Sequence, residues 1–344
     1  MKEIALHAQS GTCKIIIGES VDRLGRYAKS GKILVVTDSS VARLHGERFS
    51  GYETVVLGQG EKNKTLASVQ KVYGRCLEME LERDSFIVGI GGGIVCDIAG
   101  FAAATYLRGV NCGLVPTTLL AQVDASIGGK NGVNLKGYKN LVGTIRQPKF
   151  CLCDLDLLKT LPKDEISSGF AEIIKHAAIA DSGLFSYLQD NLEDALALDK
   201  DAIYQVMCDA VAVKAGIVNG DERENSERRK LNFGHTFGHA IEKVTAMPHG
   251  KAVSIGMVIE ANLSVDKGLL VDADRIRLER LLARANLPTT LSLSDGKGMI
   301  DAIRKDKKRN GDSIRTVLLQ GIGKAKLIDI RLGEVEKIVN RLVG

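Results

Sequence analysis

The chain has 344 residues, 44% hydrophobic, 26% charged and 4% aromatic, with no tryptophan and a formal net charge of +5. That length and apolar content suit two domains with buried cores rather than one. No apolar run approaches the roughly 18 residues of a membrane span, "MKEIALHAQS" lacks the hydrophobic region of a signal peptide, and a mild charge with few aromatics is not a surface that grips nucleic acid. A cytoplasmic protein with no membrane and no nucleic-acid partner is expected.

Up to about residue 160, short apolar runs alternate with helical stretches, a pattern that specifies a parallel sheet. The strand candidates are "KILVVTD" (32–38), "ETVVL" (53–57), "FIVGIGGG" (86–93), "CGLVPTT" (112–118) and "KFCLCDLD" (149–156). Helices are expected from Thr65 to about Leu81 and from Ile94 to about Tyr106. After Leu161-Pro162 the texture changes to long helix-periodic segments such as "EISSGFAEIIKHAAIA", with few strand-like runs. The expected organisation is an α/β half over residues 1–160 and a mostly helical half over 161–344, with a site lined from both, since clefts form where domains meet. Seven scattered cysteines without a C-x-x-C pair read as buried, reduced thiols.

"GIGGGIVCDIAGF" follows an apolar strand and opens a helix, a setting where backbone N–H groups and a helix N-terminus can cradle a phosphate. It departs from G-x-G-x-x-G, because Ile94 and Cys96 occupy the third-glycine positions of the two registers, so a ligand-free strand-to-helix turn stays open beside a dinucleotide site. Asp38 ends an earlier strand; it suits either a helix N-cap or a ribose contact. From Thr117 to Asn140 a glycine-, asparagine- and lysine-rich segment reads as a long loop crossing a cleft. Lys130 and Lys139 lie in it, and Lys175, Lys214, Arg228 and the run at 305–309 add cations from separate segments. Converged on one cleft, they fit a small anionic substrate.

"LNFGHTFGHAIEKVTAMPHGKAVSIGM" (231–257) holds three of the six histidines. His235 and His239 stand at i and i+4, so on a helix they share a face and form a chelating pair; they serve equally to move protons or fill a core. Pro248 should end that helix and leave His249 to return from a turn.

Together "GGGIVCDIAGFAAATYLRG", "VPTTLLAQVDASIGGKNGVN", "YKNL", "GFAEIIKH" and "LNFGHTFGHAIE" resemble the 3-dehydroquinate synthase family of sugar-phosphate cyclases, from about Lys32 to about Arg309. The resemblance implies an α/β, Rossmann-like, nucleotide-binding N-terminal domain and a mostly α-helical C-terminal domain for metal and substrate. It implies an NAD- and metal-dependent lyase that converts 3-deoxy-D-arabino-heptulosonate 7-phosphate to 3-dehydroquinate and phosphate. It also replaces the His235–His239 pair by a metal set of Glu172, His235 and His249, with Zn²⁺ the expected ion and Co²⁺ the alternative. NAD contacts fall on Asp38, Glu61, Lys64, Gly92, Gly93, Asp97, Thr117, Thr118 and Thr160, with Lys130 and Lys139 beside them. Substrate contacts fall on Asp124, Lys130, Lys139, Asn140, Lys175, Lys214, Arg228, Asn232, His239 and Lys307, with Lys308 the alternative. Arg108 is implied to reach the substrate phosphate of a neighbouring subunit in a homodimer.

Three positions depart from the family pattern. Cys96 stands where glycine is common, Asn131 where threonine follows "GGK", and Lys251 where glutamate follows "HG". Lys251 is expected to point to solvent. A sister cyclase such as an aminodehydroquinate synthase, or a metal-dependent NAD polyol dehydrogenase, is the alternative activity.

Overall fold

A computed structural model describes residues 1–292, 296–304 and 309–342. Two compact units are present: Met1–Ile166 with Lys214–Arg223, and Ser167–Val213 with Glu224–Gly344. The first departs from a simple cut near residue 160, because Lys214–Arg223 joins it through side chains such as Glu222, which accepts hydrogen bonds from the Ser10 amide and the Gln147 side chain.

The first unit is built on a seven-stranded sheet. Its strands are β1 (Lys2–Ala8), β2 (Gly11–Ile17), β3 (Ile33–Asp38), β4 (Glu53–Leu57), β5 (Phe86–Gly91), β6 (Asn111–Pro116) and, near residue 150, β9 (Phe150–Cys153), in the spatial order β1-β2-β9-β6-β5-β3-β4. All pairings are parallel except the β1–β2 hairpin. β5 is buried at every position, which explains why its sequence is an unbroken apolar run instead of an alternation. The helices α1 (Ser39–His45), α2 (Leu66–Glu78) and α3 (Gly93–Thr105) connect the strands. α3 is apolar on all sides because it packs on β5 and β6 and also meets the hairpin described next.

That hairpin corrects the expected loop over 117–140. A π-helical turn at Ala121–Ala125 leads into β7 (Lys130–Leu135), which pairs antiparallel with β8 (Tyr138–Ile145). The strands were hidden by turn-forming residues: Lys136 and Gly137 both take left-handed backbone angles at the tip, and Gly132 and Gly143 face one another across the ladder. The β1–β2 hairpin also carried no expected strand, although Ile15, Ile16 and Ile17 are buried on β2.

The second unit holds α4 from Ser167 onward (the helix runs Lys163–Ala180), α5 (Ser182–Leu196), the first part of α6 (Lys200–Gly220), α7 (His235–Thr245), α8 (His249–Asp266), α9 (Asp272–Arg284) and α10 (Lys297–Arg304). It also contains a small sheet that the helical texture concealed: β10 (Arg309–Asn310), β11 (Ser313–Gly321) and β12 (Lys324–Arg331), followed by α11 (Leu332–Asn340). Its core joins Phe237 and Ile241 of α7, Ile255 and Ile259 of α8, Ile314 and Leu318 of β11 and Val335 of α11. No helix among the described residues is long and apolar enough to cross a membrane.

Candidate active site

In the first unit Asp38, Gly92, Gly93, Thr117 and Thr118 lie at the C-terminal ends of β3, β5 and β6, where open parallel sheets bind ligands, while Glu61 and Lys64 follow β4 and Thr160 follows β9. Gly92 is the N-cap of α3 and the Thr117 amide donates to the Gly91 carbonyl at 2.9 Å, so two strand ends and a helix start meet at one turn. A Cβ at Gly92 would come within 3.3 Å of the Thr118 side chain. The turn therefore presents bare backbone, which is what the close approach of a phosphate requires. Asp38 caps α1, its Oδ1 accepting from the Ser40 and Val41 amides at 2.8 and 3.1 Å. Thr160 is exposed; its hydroxyl donates to the Leu157 carbonyl and receives the His45 Nε2 at 2.9 Å. Burial, and after it the Arg48 charge, lower the His45 pKa, consistent with a neutral ring donating from Nε2.

Lys64 ties this turn to the hairpin. Its ammonium pairs with Asp97 of α3 and donates to Asn140 Oδ1 at 2.6 Å, and Asn140 holds a left-handed φ of 51°. Burial pushes the Asp97 carboxyl up to about 6 against the opposing pull of Lys64. Asn134 adds a second tie, donating to Glu61 at 2.8 Å and accepting from the Asn140 amide at 2.9 Å. A cleft of about 330 Å³ opens here, lined by Glu61, Thr65, Asn134 and Lys139 among others. Lys214 reaches Asp124 at 2.6 Å, while Lys130 is exposed at the start of β7. Arg108 is exposed with a φ of 63° at the end of a short 3-10 turn.

In the second unit, α4, α7 and α8 bring Glu172, His235 and His249 together, with one ligand atom from each within 4.8 Å of the others. Glycine makes this possible. A Cβ on Gly256 of α8 would lie 1.9 Å from the Gly234 carbonyl that opens α7, and one on Gly250 would lie 2.5 Å from the Ser168 Cα of α4. Ser168 Oγ also accepts the Gly250 amide at 3.2 Å. Since Ser168 and Glu172 are one turn apart on α4, docking Gly250 against Ser168 delivers the neighbouring His249 to Glu172. His249 is thus the first residue of α8, capped by Pro248, and not part of a turn; α7 has already ended at Thr245, with Ala246 left-handed.

Both ligand-like histidines turn Nδ1 to an acceptor behind the ring and Nε2 toward Glu172. His235 directs Nδ1 to the Phe233 carbonyl at 3.1 Å and Nε2 toward Glu172 Oε1 at 3.6 Å. His249 directs Nδ1 to Glu242 at 3.3 Å and Nε2 to Glu172 Oε1 at 3.3 Å. Burial, then the Lys175 charge, lower the His235 pKa well below its ordinary value. At His249 burial lowers as well but is overcome by hydrogen bonds and charge from Glu172 and Glu242, which raise the imidazole to about 9. Glu172 is fully buried and paired with Lys175. A buried carboxylate with two imidazole Nε2 atoms aimed at it is a donor set that fits a divalent cation. His239 is exposed on α7, its ring 5.2 Å from that of His235 and 6.2 Å from that of His249.

Arg228 is buried, and Asn232 donates its amide to Glu224, a residue at a φ of 61°. Lys307 and Lys308 lie outside the described residues. Glu224 and Glu242 were missed from sequence. Glu242 had a usable signal, since it stands seven residues after His235 and shares its helix face; Glu224 lies between helices, where no periodicity applies. Of the departures, the Cys96 thiol is buried against the Gly91 carbonyl and the Asn131 amide donates to the Gly129 and Arg146 carbonyls. Lys251 is half-buried rather than directed wholly to solvent.

Residues 54–168 match the 3-dehydroquinate synthase N-terminal family model and residues 169–309 the C-terminal one. The chain belongs to the 3-dehydroquinate synthase family. It is 41% identical over 336 residues to a 3-dehydroquinate synthase of Caldanaerobacter subterraneus subsp. tengcongensis, covering 93% of this chain and 94% of the relative. Among solved structures it is similar to the 2-epi-5-epi-valiolone synthase of Streptomyces hygroscopicus subsp. jinggangensis with NAD⁺ and Zn²⁺ bound, at a TM-score of 0.86 and 27% identity over 99% of this chain and 98% of that one. It shares the fold of a 2-deoxy-scyllo-inosose synthase complexed with carbaglucose-6-phosphate, NAD⁺ and Co²⁺, at a TM-score of 0.87 and 24% identity over 99% of this chain and 100% of that one. The Rossmann-like parallel sheet and the helical second region are thus the architecture of the family's sugar-phosphate cyclases.

Proposed function

We propose that this chain is a phosphate-eliminating carbon–oxygen lyase that converts 3-deoxy-D-arabino-heptulosonate 7-phosphate to 3-dehydroquinate and phosphate, a cytoplasmic step of the shikimate pathway. The buried Glu172–His235–His249 cluster, in a chain of this family, is the observation that carries the reading. Residues 1–160 would serve as the NAD-binding domain and 161–344 as the metal- and substrate-binding domain.

NAD, when bound, supplies a hydride acceptor and donor, and a divalent cation, Zn²⁺ in our reading with Co²⁺ as the alternative, supplies Lewis acidity. Glu172, His235 and His249 would hold the cation. Gly92, Gly93, Thr117 and Thr118 would receive the dinucleotide pyrophosphate and its neighbours on bare backbone and hydroxyls, with Asp38, Glu61, Lys64, Asp97 and Thr160 reading ribose, nicotinamide and adenine groups. Lys130 and Lys139 would serve both ligands. Asp124, Asn140, Lys175, Lys214, Arg228, Asn232 and Lys307 would fix the substrate, their cations pairing with its carboxylate and phosphate. His239, the exposed imidazole of the three, is suited to move protons at the substrate. Once the substrate is oxidised next to its acidified C–H, a phosphate oxygen takes the proton and phosphate leaves. Re-reduction, ring opening and an internal aldol then close the carbocycle, with the same polar groups holding the chain in reactive geometry. Arg108, exposed on its 3-10 turn, would act on the phosphate of a neighbouring subunit's substrate in a homodimer.

The test is stoichiometric. With the heptulosonate phosphate and catalytic NAD, inorganic phosphate should accumulate over many turnovers while free NADH stays far below it. NADH rising mole for mole with substrate loss would instead identify a polyol dehydrogenase, and a sister cyclase would leave the heptulosonate phosphate untouched.

A further inference from the structure

The two histidines aimed at Glu172 differ in what holds them from behind. His235 Nδ1 faces the Phe233 carbonyl, a backbone atom two residues away that the start of α7 fixes. His249 Nδ1 faces Glu242 Oε2, a side chain seven residues earlier in sequence and on a different helix. Glu242 lies two turns along α7 from His235, so the helix that carries one imidazole also carries the group that orients the other. Its carboxylate is 22% exposed and His249 is 34% exposed, whereas Glu172 is fully buried. His249 is therefore the outermost member of the cluster, on the first residue of its helix, with solvent on one side.

We infer that Glu242 is a positioning residue: it accepts Nδ1–H of His249 and so holds the ring with Nε2 turned to Glu172, where a cation held by that carboxylate would displace the Nε2 proton and meet the lone pair. This rests on the reading of Glu172, His235 and His249 as metal ligands. The physical reason is that a neutral imidazole has two tautomers, and only the one protonated at Nδ1 offers Nε2 to a cation. A carboxylate behind the ring selects that tautomer and restricts rotation about the side chain's torsions; it also makes the ring a stronger donor. The Phe233 carbonyl gives His235 the orientation without the charge, so the effect of Glu242 is concentrated on His249.

Full-length protein, stripped with a chelator, is titrated with Zn²⁺ against a chromophoric competitor. Glu242→Ala should weaken Zn²⁺ binding about 10- to 100-fold. Glu242→Gln, whose side-chain oxygen still accepts the imidazole N–H but lacks charge, should lose no more than about 10-fold. In the Zn²⁺-loaded parent, nitrogen-edited NMR should show a slowly exchanging Nδ1 proton on His249, kept in the Gln variant and lost in the Ala variant; a purely structural role for Glu242 would not move that signal. Affinities within twofold of the parent for both variants would overturn the positioning role. His249→Ala, run in parallel, separates the two levels: if it keeps Zn²⁺ the metal assignment fails, and if it loses Zn²⁺ while both Glu242 variants bind normally, only the role of Glu242 fails.

Discussion

At the glycine turn of the first unit the surface proposed to receive the dinucleotide is backbone: the end of β5, the N-terminus of α3 and the Thr117 amide. At the starts of α7 and α8 in the second unit the surface is side chain, two imidazoles and a carboxylate on three helices, and glycine serves only to let those helices touch. The first arrangement offers many weak, interchangeable N–H dipoles to an anion. The second offers a few strong donors whose number and charge decide everything. The backbone-built region should therefore degrade gradually under substitution and the side-chain-built one abruptly.

The widest gap should appear at Glu172. Glu172→Gln removes the buried charge that faces both Nε2 atoms, and turnover is expected to fall by roughly 10³-fold with loss of the bound cation. Elemental analysis of purified protein checks this. A Gln variant with full metal content and low activity would show the cluster to be a proton-transfer group and would erase the contrast.

Within the glycine turn itself, Gly91 and Gly92 should behave differently. A Cβ on Gly91 would sit 2.6 Å from the Val95 side chain, a clash inside the packed strand–helix junction, so Gly91→Ala should destabilise the protein by about 1–3 kcal/mol. Gly92→Ala meets only Thr118 at 3.3 Å, so it should cost no more than about 1 kcal/mol while weakening NAD roughly tenfold by crowding the phosphate position. Chemical denaturation and calorimetric NAD binding read the two quantities separately. Equal stability losses with unchanged NAD affinity would mean the turn is structural.

An effect confined to a pH window concerns Asp97, a charge that the backbone-built region does contain and that Lys64 pairs. Its folded pKa is raised from 3.8 to about 6, so the folded state holds a proton that the unfolded state has released between those values. This group therefore lowers stability as pH rises from about 4 through about 6, and the loss is complete above that window. Asp97→Asn lacks the slope: relative to the parent it should gain about 2 kcal/mol between pH 4 and pH 7. Denaturant midpoints at the two pH values measure the change, and parallel curves would place the Asp97 pKa near its ordinary value.

How much of this was legible beforehand varied with the kind of force involved. The parallel strands were readable because burial writes short apolar runs, complete in β5 and β9, nearly so in β3 and β6 and weakest in the edge strand β4: the five fall where "KILVVTD", "ETVVL", "FIVGIGGG", "CGLVPTT" and "KFCLCDLD" lie, each ending sooner than its run or within a residue of it. The α/β-then-helical order and the family were legible for the same reason, since long ordered motifs record many local constraints at once. Hairpins were not. β7 and β8 carry glycine, asparagine and lysine because their turn needs left-handed residues and their outer face meets solvent, so the strand is made by its partner and not by its own composition. The sheet β10–β12 was hidden by the helices on either side of it.

The chemistry divides the same way. Sequence alone determined which residue types were available, and that His235 and His239 share a helix face, because helical spacing is a local property. Spacing suggested the adjacent pair, and the family resemblance replaced it with Glu172, His235 and His249. Only tertiary structure showed how those three meet: His249 starts a new helix, Gly250 presses that helix onto Ser168 of α4, and Glu172 therefore faces His249 from 77 positions away in the chain. Such a contact depends on two helices approaching closer than any side chain would permit. Close approach leaves only glycines in the sequence, and a glycine does not say which backbone it is making room for.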